Sequence, residues 1–102
     1  MMQIESGYEP LAKVLQMALD QSQAGKGKDR HANGKPFIKQ PIMEIGRMVG
    51  PGYNIGQAMK KGQESMRLPH ERAQAELLGA INYLASAYLL IDEEISNELP
   101  EA

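Results

Sequence analysis

The sequence predicts an all-α protein: one small four-helix bundle spanning residues 1–102, with a long C-terminal helix and with assembly into a homo-oligomer. The 102 residues allow one domain, and its core is small enough that association with further copies would bury useful apolar surface. The hydrophobic content of 42% includes one Phe and no Trp, so aliphatic residues and seven Met must form the core, which favours helices. Apolar residues recur at helical spacing along most of the chain.

The first two predicted helices flank a polar segment. The first covers residues 10–23, with a proline in its first turn and a glycine after its end. Its apolar face has the spacing i, i+3, i+4, i+7 and i+8 and consists of Leu11, Val14, Leu15, Ala18 and Leu19. The second covers residues 41–49, begins at Pro41 and places Ile42, Ile45 and Val49 on one face.

The third and fourth predicted helices make up the C-terminal half. The third covers residues 55–67, with Asn54 as its N-cap and Gln57 at the capping-box position. Its apolar face consists of Ile55, Ala58, Met59, Gly62 and Met66. The fourth covers residues 69–98 and carries a heptad pattern in which steps of four and three alternate. That pattern consists of Leu77, Ile81, Leu84, Tyr88, Ile91 and Ile95.

Small side chains beside the heptad pattern indicate close helix packing. Ala73, Ala80 and Ala87 recur every seven residues. Gly79 stands inside the same helix, where glycine costs about 1 kcal/mol relative to alanine. Another helix can approach closely at such positions. That helix belongs either to a second copy, which makes the fourth helix the spine of a homo-oligomer, or to the same chain.

Positive charge is concentrated in residues 25–40, within the predicted loop 24–40. This segment holds five of the eleven basic residues and one of the thirteen acidic residues, in a protein of net charge −2. A basic cluster in an otherwise acidic chain indicates an anionic partner, and glycines allow backbone amides to face a phosphate. The alternative is that the segment is a flexible, solubilising connector. Duplex DNA ranks lower as a partner because the basic residues occupy one short segment.

The candidate ligand-binding residues come from this segment and from the start of the third helix. They are Lys26, Lys28, Arg30, His31, Asn33, Lys35, Tyr53, Asn54 and Lys60. The basic residues supply charge for phosphates, and Arg30 is the strongest candidate because a guanidinium makes bidentate contacts. His31 and Asn33 can donate hydrogen bonds, and Phe37 or Tyr53 can stack on a base. Asn54 and the free amides of the third helix can face an anion, with Lys60 one or two turns further on.

Catalytic and metal-binding patterns are not evident in the sequence. The two histidines, His31 and His70, have no second ligand at metal-binding spacing. Glu71 and Glu76 are five residues apart, which places them on different helical faces. The sequence Gly25-Lys26-Gly27-Lys28-Asp29 lacks the Ser or Thr that ends a Walker loop. We therefore expect no catalytic residue, no metal and no cofactor.

Three short segments between residues 40 and 88, about half of the chain, carry a family resemblance. They are Gln40-Pro41-Ile42, Tyr53-Asn54-Ile55-Gly56-Gln57-Ala58-Met59-Lys60 and Ala80-Ile81-Asn82-Tyr83-Leu84. In these segments the chain resembles small phage-encoded helical proteins that are labelled nucleotide-kinase-like. The resemblance implies a phage origin and association with nucleotides.

The predicted function is non-catalytic binding or sequestration of a phosphate-bearing small molecule, above all a nucleotide or cyclic nucleotide. A phage counter-defence protein that sequesters a nucleotide signal of bacterial immunity fits this description. The alternatives are a nucleotide-processing enzyme, either kinase-like or a phosphohydrolase, and a protein-interaction inhibitor. The apolar stretches are too short to span a membrane, and no signal-peptide pattern begins the chain. We therefore expect a cytoplasmic protein, in the host cell if phage-encoded.

Overall fold

A computed structural model describes residues 3–24 and 34–98, which form four α-helices and one short 3-10 helix. Helix α1 spans Glu9–Ala24, α2 spans Pro41–Val49, α3 spans Gly52–Ser65 and α4 spans His70–Glu98. The 3-10 helix covers Phe37–Lys39. No strand occurs in residues 3–24 or 34–98, so the all-α class and the long C-terminal helix are confirmed. The predicted bounds of α1, α2 and α4 agree with the structure to within one residue at each end.

Helix α3 begins three residues earlier and ends two residues earlier than predicted. Its early start is a consequence of the turn that joins it to α2. Gly50 ends α2 at a positive φ of 98° and donates its N–H to the carbonyl of Gly46 at 2.7 Å. Pro51 then occupies the N-cap position of α3, and no side chain caps this end. The prediction that Asn54 caps α3 is therefore wrong, because Asn54 lies inside the first turn.

Helix α4 is the centre of the fold. Helix α3 packs along it most extensively, α1 packs against it as well, and α2 contacts both α3 and α4. Two side chains reach backbone carbonyls across the α1–α4 contact. Asn82 Nδ2 donates to the carbonyl of Ala18 at 3.0 Å, and Gln21 Nε2 donates to the carbonyl of Ala75 at 3.1 Å. These two bonds fix the position of α1 on α4.

The core is built mainly from small and polar side chains. Its buried apolar residues are Ala18, Met43, Ala58, Ala80, Ala87 and Leu90. Asn54 and Ser86 are also fully buried, and Asn54 Nδ2 donates to Ser86 Oγ at 2.7 Å and to the carbonyl of Ile42 at 2.8 Å. Ser86 Oγ in turn donates to the carbonyl of Tyr83 at 2.6 Å. This polar chain connects α2, α3 and α4 at the centre of the molecule.

The large apolar residues of the predicted faces lie mostly outside this core. In α1 only Ala18 is buried, and Leu11 is 54% exposed. Helix α2 buries Met43 and Gly46, and Val49 is exposed instead of packed. Ile55 and Met59 of α3 are exposed, and so is Met66, which follows the last residue of α3. The exposed heptad residues of α4 are Leu77, Leu84, Tyr88, Ile91 and Ile95. The small residues Ala80 and Ala87 pack within the chain, which favours the same-chain alternative for them.

Gly79 accommodates a lysine side chain. A Cβ atom at this position would lie 3.2 Å from Cδ of Lys61, and the nearest atoms all belong to that side chain. Lys61 lies across the glycine and reaches Glu76 with an Nζ to Oε2 distance of 3.4 Å. The glycine therefore makes room for the lysine stem and does not provide a contact between helix backbones.

Candidate ligand-binding cleft

A cleft of about 520 Å³ lies between the C-terminal part of α1, residues 34–40 and the middle of α4. Its apolar lining consists of Leu19, Phe37, Ala85 and Leu89. Its polar lining consists of Ser22, Gln23, Lys35, Gln40 and Asn82, and Gly34 completes the wall. A mostly apolar concave surface with a few polar groups is the usual composition of a small-molecule site.

Phe37 is held in the cleft by the 3-10 helix. Lys39 donates its N–H to the carbonyl of Pro36 at 2.9 Å, and Gln40 donates its N–H to the carbonyl of Phe37 at 3.0 Å. Gln40 Nε2 also reaches back to the carbonyl of Lys35 at 2.9 Å. These bonds fix the turn, so the half-buried ring of Phe37 has a defined position in the wall of the cleft.

The polar groups of the cleft have complementary hydrogen-bonding roles. Asn82 Nδ2 donates a hydrogen bond to the carbonyl of Ala18. Within the described chain, Asn82 Oδ1 accepts no hydrogen bond. Ser22 and Gln23 add a hydroxyl and an amide from α1. Lys35 is exposed at the edge of the cleft and forms no ion pair with a carboxylate among residues 3–24 and 34–98. An aromatic ring, an ammonium group and several amide and hydroxyl groups therefore face one space.

The predicted site residues divide into three groups. The first group lies outside the described residues and consists of Lys26, Lys28, Arg30, His31 and Asn33. The second is Lys35, which lines the cleft together with its neighbour Gly34. Tyr53, Asn54 and Lys60 do not line it. The structure thus brings Lys35 together with Phe37, and it separates both from the predicted residues of α3.

The three predicted residues on α3 have structural roles. Asn54 has no exposed surface, because its side chain is buried against Ile42 and Ser86. Lys60 pairs with Glu64 one turn later at 3.3 Å. Tyr53 packs edge-on against Tyr83, with ring centroids 6.2 Å apart. The burial of Asn54 leaves its side chain no surface for an anion. Tyr53 is half-buried and Lys60 is exposed, so a ligand role for these two residues stays a prediction.

A second aromatic cluster surrounds Tyr83 on the α3–α4 contact. The Nζ of Lys61 lies 5.8 Å from the centroid of the Tyr83 ring, and the same ammonium group pairs with Glu76. Burial, followed by the hydrogen bond to Tyr83, raises the pKa of the Tyr53 hydroxyl above its ordinary value of 10.0. Each group in this cluster has a partner within the chain, so the cluster stabilises the α3–α4 contact.

Sequence reasoning did not place Ser22 and Gln23 in the candidate site, and it considered Asn82 only for an alternative site between the third and fourth helices, with Tyr53, Asn54 and Tyr83. Ser22 and Gln23 are in the last turn of α1, next to the basic segment, so their position in the sequence was a usable signal. Asn82 is 42 residues from Gln40 in the sequence, and only the packing of α1 on α4 brings it to the cleft. The one indication in the sequence was that Asn82 is a polar residue within an otherwise apolar part of α4.

The described residues contain no group of three or more His, Asp or Glu side chains placed to hold a metal ion. Within the same part of the chain, no helix combines the length and apolarity that crossing a membrane requires. Comparisons with protein-family models, with curated proteins and with solved structures give no match for this chain.

Proposed function

We propose that the protein binds a phosphate-bearing small molecule of the nucleotide type in the cleft between α1, residues 34–40 and α4. The observation that carries the proposal is the position of Phe37 and Lys35 on one concave surface. A base stacked on an aromatic ring gains about 1–3 kcal/mol, and an ammonium group offsets the charge of a phosphate. The amide and hydroxyl groups of Gln23, Asn82 and Ser22 can pair with the polar edge of a base.

The basic segment adds to this proposal through its connection to the cleft. Gly34 and Lys35 are the first described residues after it, and both line the cleft, so the basic segment continues into the cleft wall along the chain. We propose that Lys26, Lys28 and Arg30 contact the phosphates of the ligand whose base rests on Phe37. His31 and Asn33 would then add hydrogen bonds between those two parts of the ligand.

We propose sequestration without turnover. The described residues that line the cleft include no Asp, Glu or His, and Lys35 is the one side chain among them that belongs to the usual general acids and bases. A protein that withholds a nucleotide signal needs affinity alone. Such a role suits a phage counter-defence protein in the host cytoplasm, and the phage origin is what the sequence resemblance implies. The proposal also includes assembly into a homo-oligomer, because large apolar residues on several helices remain exposed in the single chain.

The direct test is a thermal-shift screen of nucleotides and cyclic dinucleotides. A ligand at one hundred times its dissociation constant adds about 2.7 kcal/mol of stability. Replacement of Phe37 by Ala should abolish the shift that the best ligand gives, whereas Ile38→Ala, in the same turn but outside the lining, should keep it. Lys35→Ala and Lys39→Ala form a second pair, in which only the first should weaken binding.

The screen also separates binding from the enzymatic alternative. The best ligand is incubated with the protein and magnesium, and the nucleotides are separated by chromatography. We expect the ligand to be recovered unchanged, and formation of a product would favour a nucleotide-processing enzyme. If no nucleotide shifts the melting temperature, or if Phe37→Ala binds as well as the parent, the proposed site is wrong.

A further inference from the structure

The amphipathic character of α3 and α4 is inverted relative to an ordinary helix pair. The residues that face each other within the chain are small or polar, such as Asn54, Ala58 and Ser86. The large apolar residues point outwards, although amphipathic helices usually bury that face. The outward residues of α3 and its C-cap, here called the α3 stripe, are Ile55, Met59 and Met66. Those of α4, here called the α4 seam, are the heptad set Leu77, Ile81, Leu84, Tyr88, Ile91 and Ile95.

The α3 stripe and the α4 seam lie on the same side of the helix pair. The contacts Asn54–Ser86 and Lys61–Glu76 show that α3 and α4 run antiparallel. Successive residues are about 100° apart around a helix, so Ile55 follows Asn54 and Leu84 follows Tyr83 by that angle. Asn54 faces α4, and Tyr83 faces α3. Because the two helices run antiparallel, the same 100° turn along each chain brings Ile55 and Leu84 to the same side of the helix pair. The stripe and the seam therefore form one surface, called the α3–α4 face.

The α3–α4 face is large enough for a stable interface. Its eight most exposed side chains, three in the stripe and five in the seam, have exposed fractions between 40% and 86%. With about 200 Å² for a fully exposed large side chain, they present on the order of 900 Å², similar to the ~800 Å² that each partner contributes to a standard interface. The largest apolar patch of a typical monomer is ~300–600 Å².

The chemistry of the face fits a second copy of itself. From Leu77 to Ile91 the seam and the positions that flank it carry no charged residue, and its steps of four and three are those of helices that pack on one another as coiled coils do. The charges lie at the ends of the helix, with Asp92, Glu93, Glu94 and Glu98 at its C-terminal end. A parallel pair would place these two acidic ends side by side.

An antiparallel pair separates the acidic ends. It brings each of them towards the end of the partner at which Arg67 and Arg72 lie, and within the described chain neither arginine has an ion pair. In the register with full overlap, Leu84 faces Tyr88 of the partner subunit and Leu77 faces Ile95 of the partner subunit. We infer that the α3–α4 face is covered by the same face of a second copy, in an antiparallel two-fold arrangement with a four-helix core.

This inference rests on the proposed homo-oligomer and names its surface, and it leaves the ligand cleft open. The cleft residues of α4, Asn82, Ala85 and Leu89, lie about 80–140° around the helix from the middle of the seam. Assembly and ligand binding can therefore be measured separately. A variant that separates the copies should keep the thermal shift that the best nucleotide gives.

The first test uses light scattering on matched leucine variants. The parent should have twice the monomer mass of 11.3 kDa. Leu84→Glu on the seam should give a folded monomer with unchanged helical circular dichroism, because Leu84 is already 52% exposed in the single chain. Leu11→Glu on α1 is the control, since Leu11 is equally exposed at 54%, and it should stay dimeric.

The outcomes of this test distinguish the proposed homo-oligomer from the inference that the α3–α4 face is its interface. A monomeric parent would overturn both the homo-oligomer and the inferred face. An oligomeric parent that Leu11→Glu dissociates and Leu84→Glu does not would leave the homo-oligomer standing and overturn the face. If Leu84→Glu does not fold, cross-linking of cysteine variants tests the α3–α4 face instead.

Cross-linking tests the face and its orientation without a new charge. The chain has no cysteine, so single introduced cysteines report unambiguously. Under oxidation, a mixture of the Leu77→Cys and Ile95→Cys chains should form a mixed disulfide-linked dimer, and neither chain should do so alone. Cross-linking of each chain with itself would overturn the antiparallel arrangement, and the absence of any cross-link in the mixture would overturn the face.

Discussion

Arg47 on α2 binds Glu93 on α4 through two parallel hydrogen bonds. The distance from Arg47 Nε to Glu93 Oε1 is 2.8 Å, and the distance from Nη2 to Oε2 is 2.9 Å. The same Nη2 donates to the carbonyl of Ile38 at 2.7 Å. One guanidinium group thus joins α2, α4 and the 3-10 helix that carries Phe37, so it supports both the fold and one wall of the cleft.

Glu93→Gln should lower the melting temperature near neutral pH and have no effect in acid. The hydrogen bond from Arg47 lowers the pKa of Glu93 below its ordinary value of 4.5. Because this pKa is lower in the folded than in the unfolded chain, the pair stabilises the fold fully above about pH 4.5, and this contribution is lost as the pH falls through the folded pKa. The two side chains are more than a third exposed, so we expect a difference of a few degrees at most at pH 7.

The melting temperatures of parent and variant, measured at pH 7 and at about pH 2.5, check this prediction. Glu94→Gln is the matched control, because Glu94 neighbours Glu93 and forms no ion pair with a described residue. The control should melt like the parent at neutral pH. An equal loss for Glu93→Gln at both pH values would contradict the assigned ion pair.

Gly46→Ala and Gly79→Ala should have opposite effects on stability. A Cβ at Gly46 would overlap Cδ1 of Leu90 and Oδ1 of Asn54, both deep in the core, so Gly46→Ala should cost about 1–3 kcal/mol through overpacking. A Cβ at Gly79 meets only the flexible Lys61 side chain, and the gain in helix propensity is about 1 kcal/mol. Chemical denaturation should show Gly79→Ala neutral or more stable than the parent. If Gly46→Ala is equally well tolerated, the close packing of α2 on α4 is wrong.

Ser86→Ala should destabilise the protein by about 1–3 kcal/mol, because it removes an acceptor from a buried amide. Ser86 Oγ accepts the hydrogen bond of Asn54 Nδ2, and Asn54 Oδ1 already lacks a partner within the described chain. Ser65→Ala is the matched control. Ser65 Oγ also donates to the carbonyl three residues earlier, that of Gly62, but it accepts no bond from another helix. Urea denaturation of both variants separates the cross-helix bond from the local one, and equal losses would argue against the Asn54–Ser86 contact.

Charge changes in the basic segment should affect ligand binding and leave the fold unchanged. We expect Arg30→Glu, or Lys26→Ala combined with Lys28→Ala, to weaken binding of the best nucleotide while the melting temperature of the free protein stays the same. Binding by the parent should also weaken as salt increases, because exposed charges are screened over about 8–10 Å at physiological ionic strength. Titration calorimetry at two salt concentrations measures both effects. Variants that bind as tightly as the parent would show that the segment is a connector.

Local sequence signals determined the helices themselves. Prolines at helix starts, the Gly50-Pro51-Gly52 break and the spacing of apolar residues act within a few residues of one another. They predicted four helices and located the ends of α1, α2 and α4 to within one residue. The exception was α3, which begins three residues and ends two residues earlier than predicted. Its start was misplaced because Asn54 has the side chain of an N-cap and yet is buried as a hydrogen-bond donor to another helix.

Only the tertiary structure decided which side of each helix faces inwards. A repeat such as Leu77, Leu84 and Ile91 shows that these residues share a face, but it does not show what covers that face. The chain covers the face that holds Ala80, Ala87 and Leu90, because small residues and the Asn54–Ser86 hydrogen bond let the helices approach closely. The cleft has the same origin. The sequence identified Phe37 as a ring that can stack on a base and Lys35 as a charge for a phosphate. It did not show that Asn82 lines the same cleft, because that contact depends on how α1 packs across α4 in the whole fold.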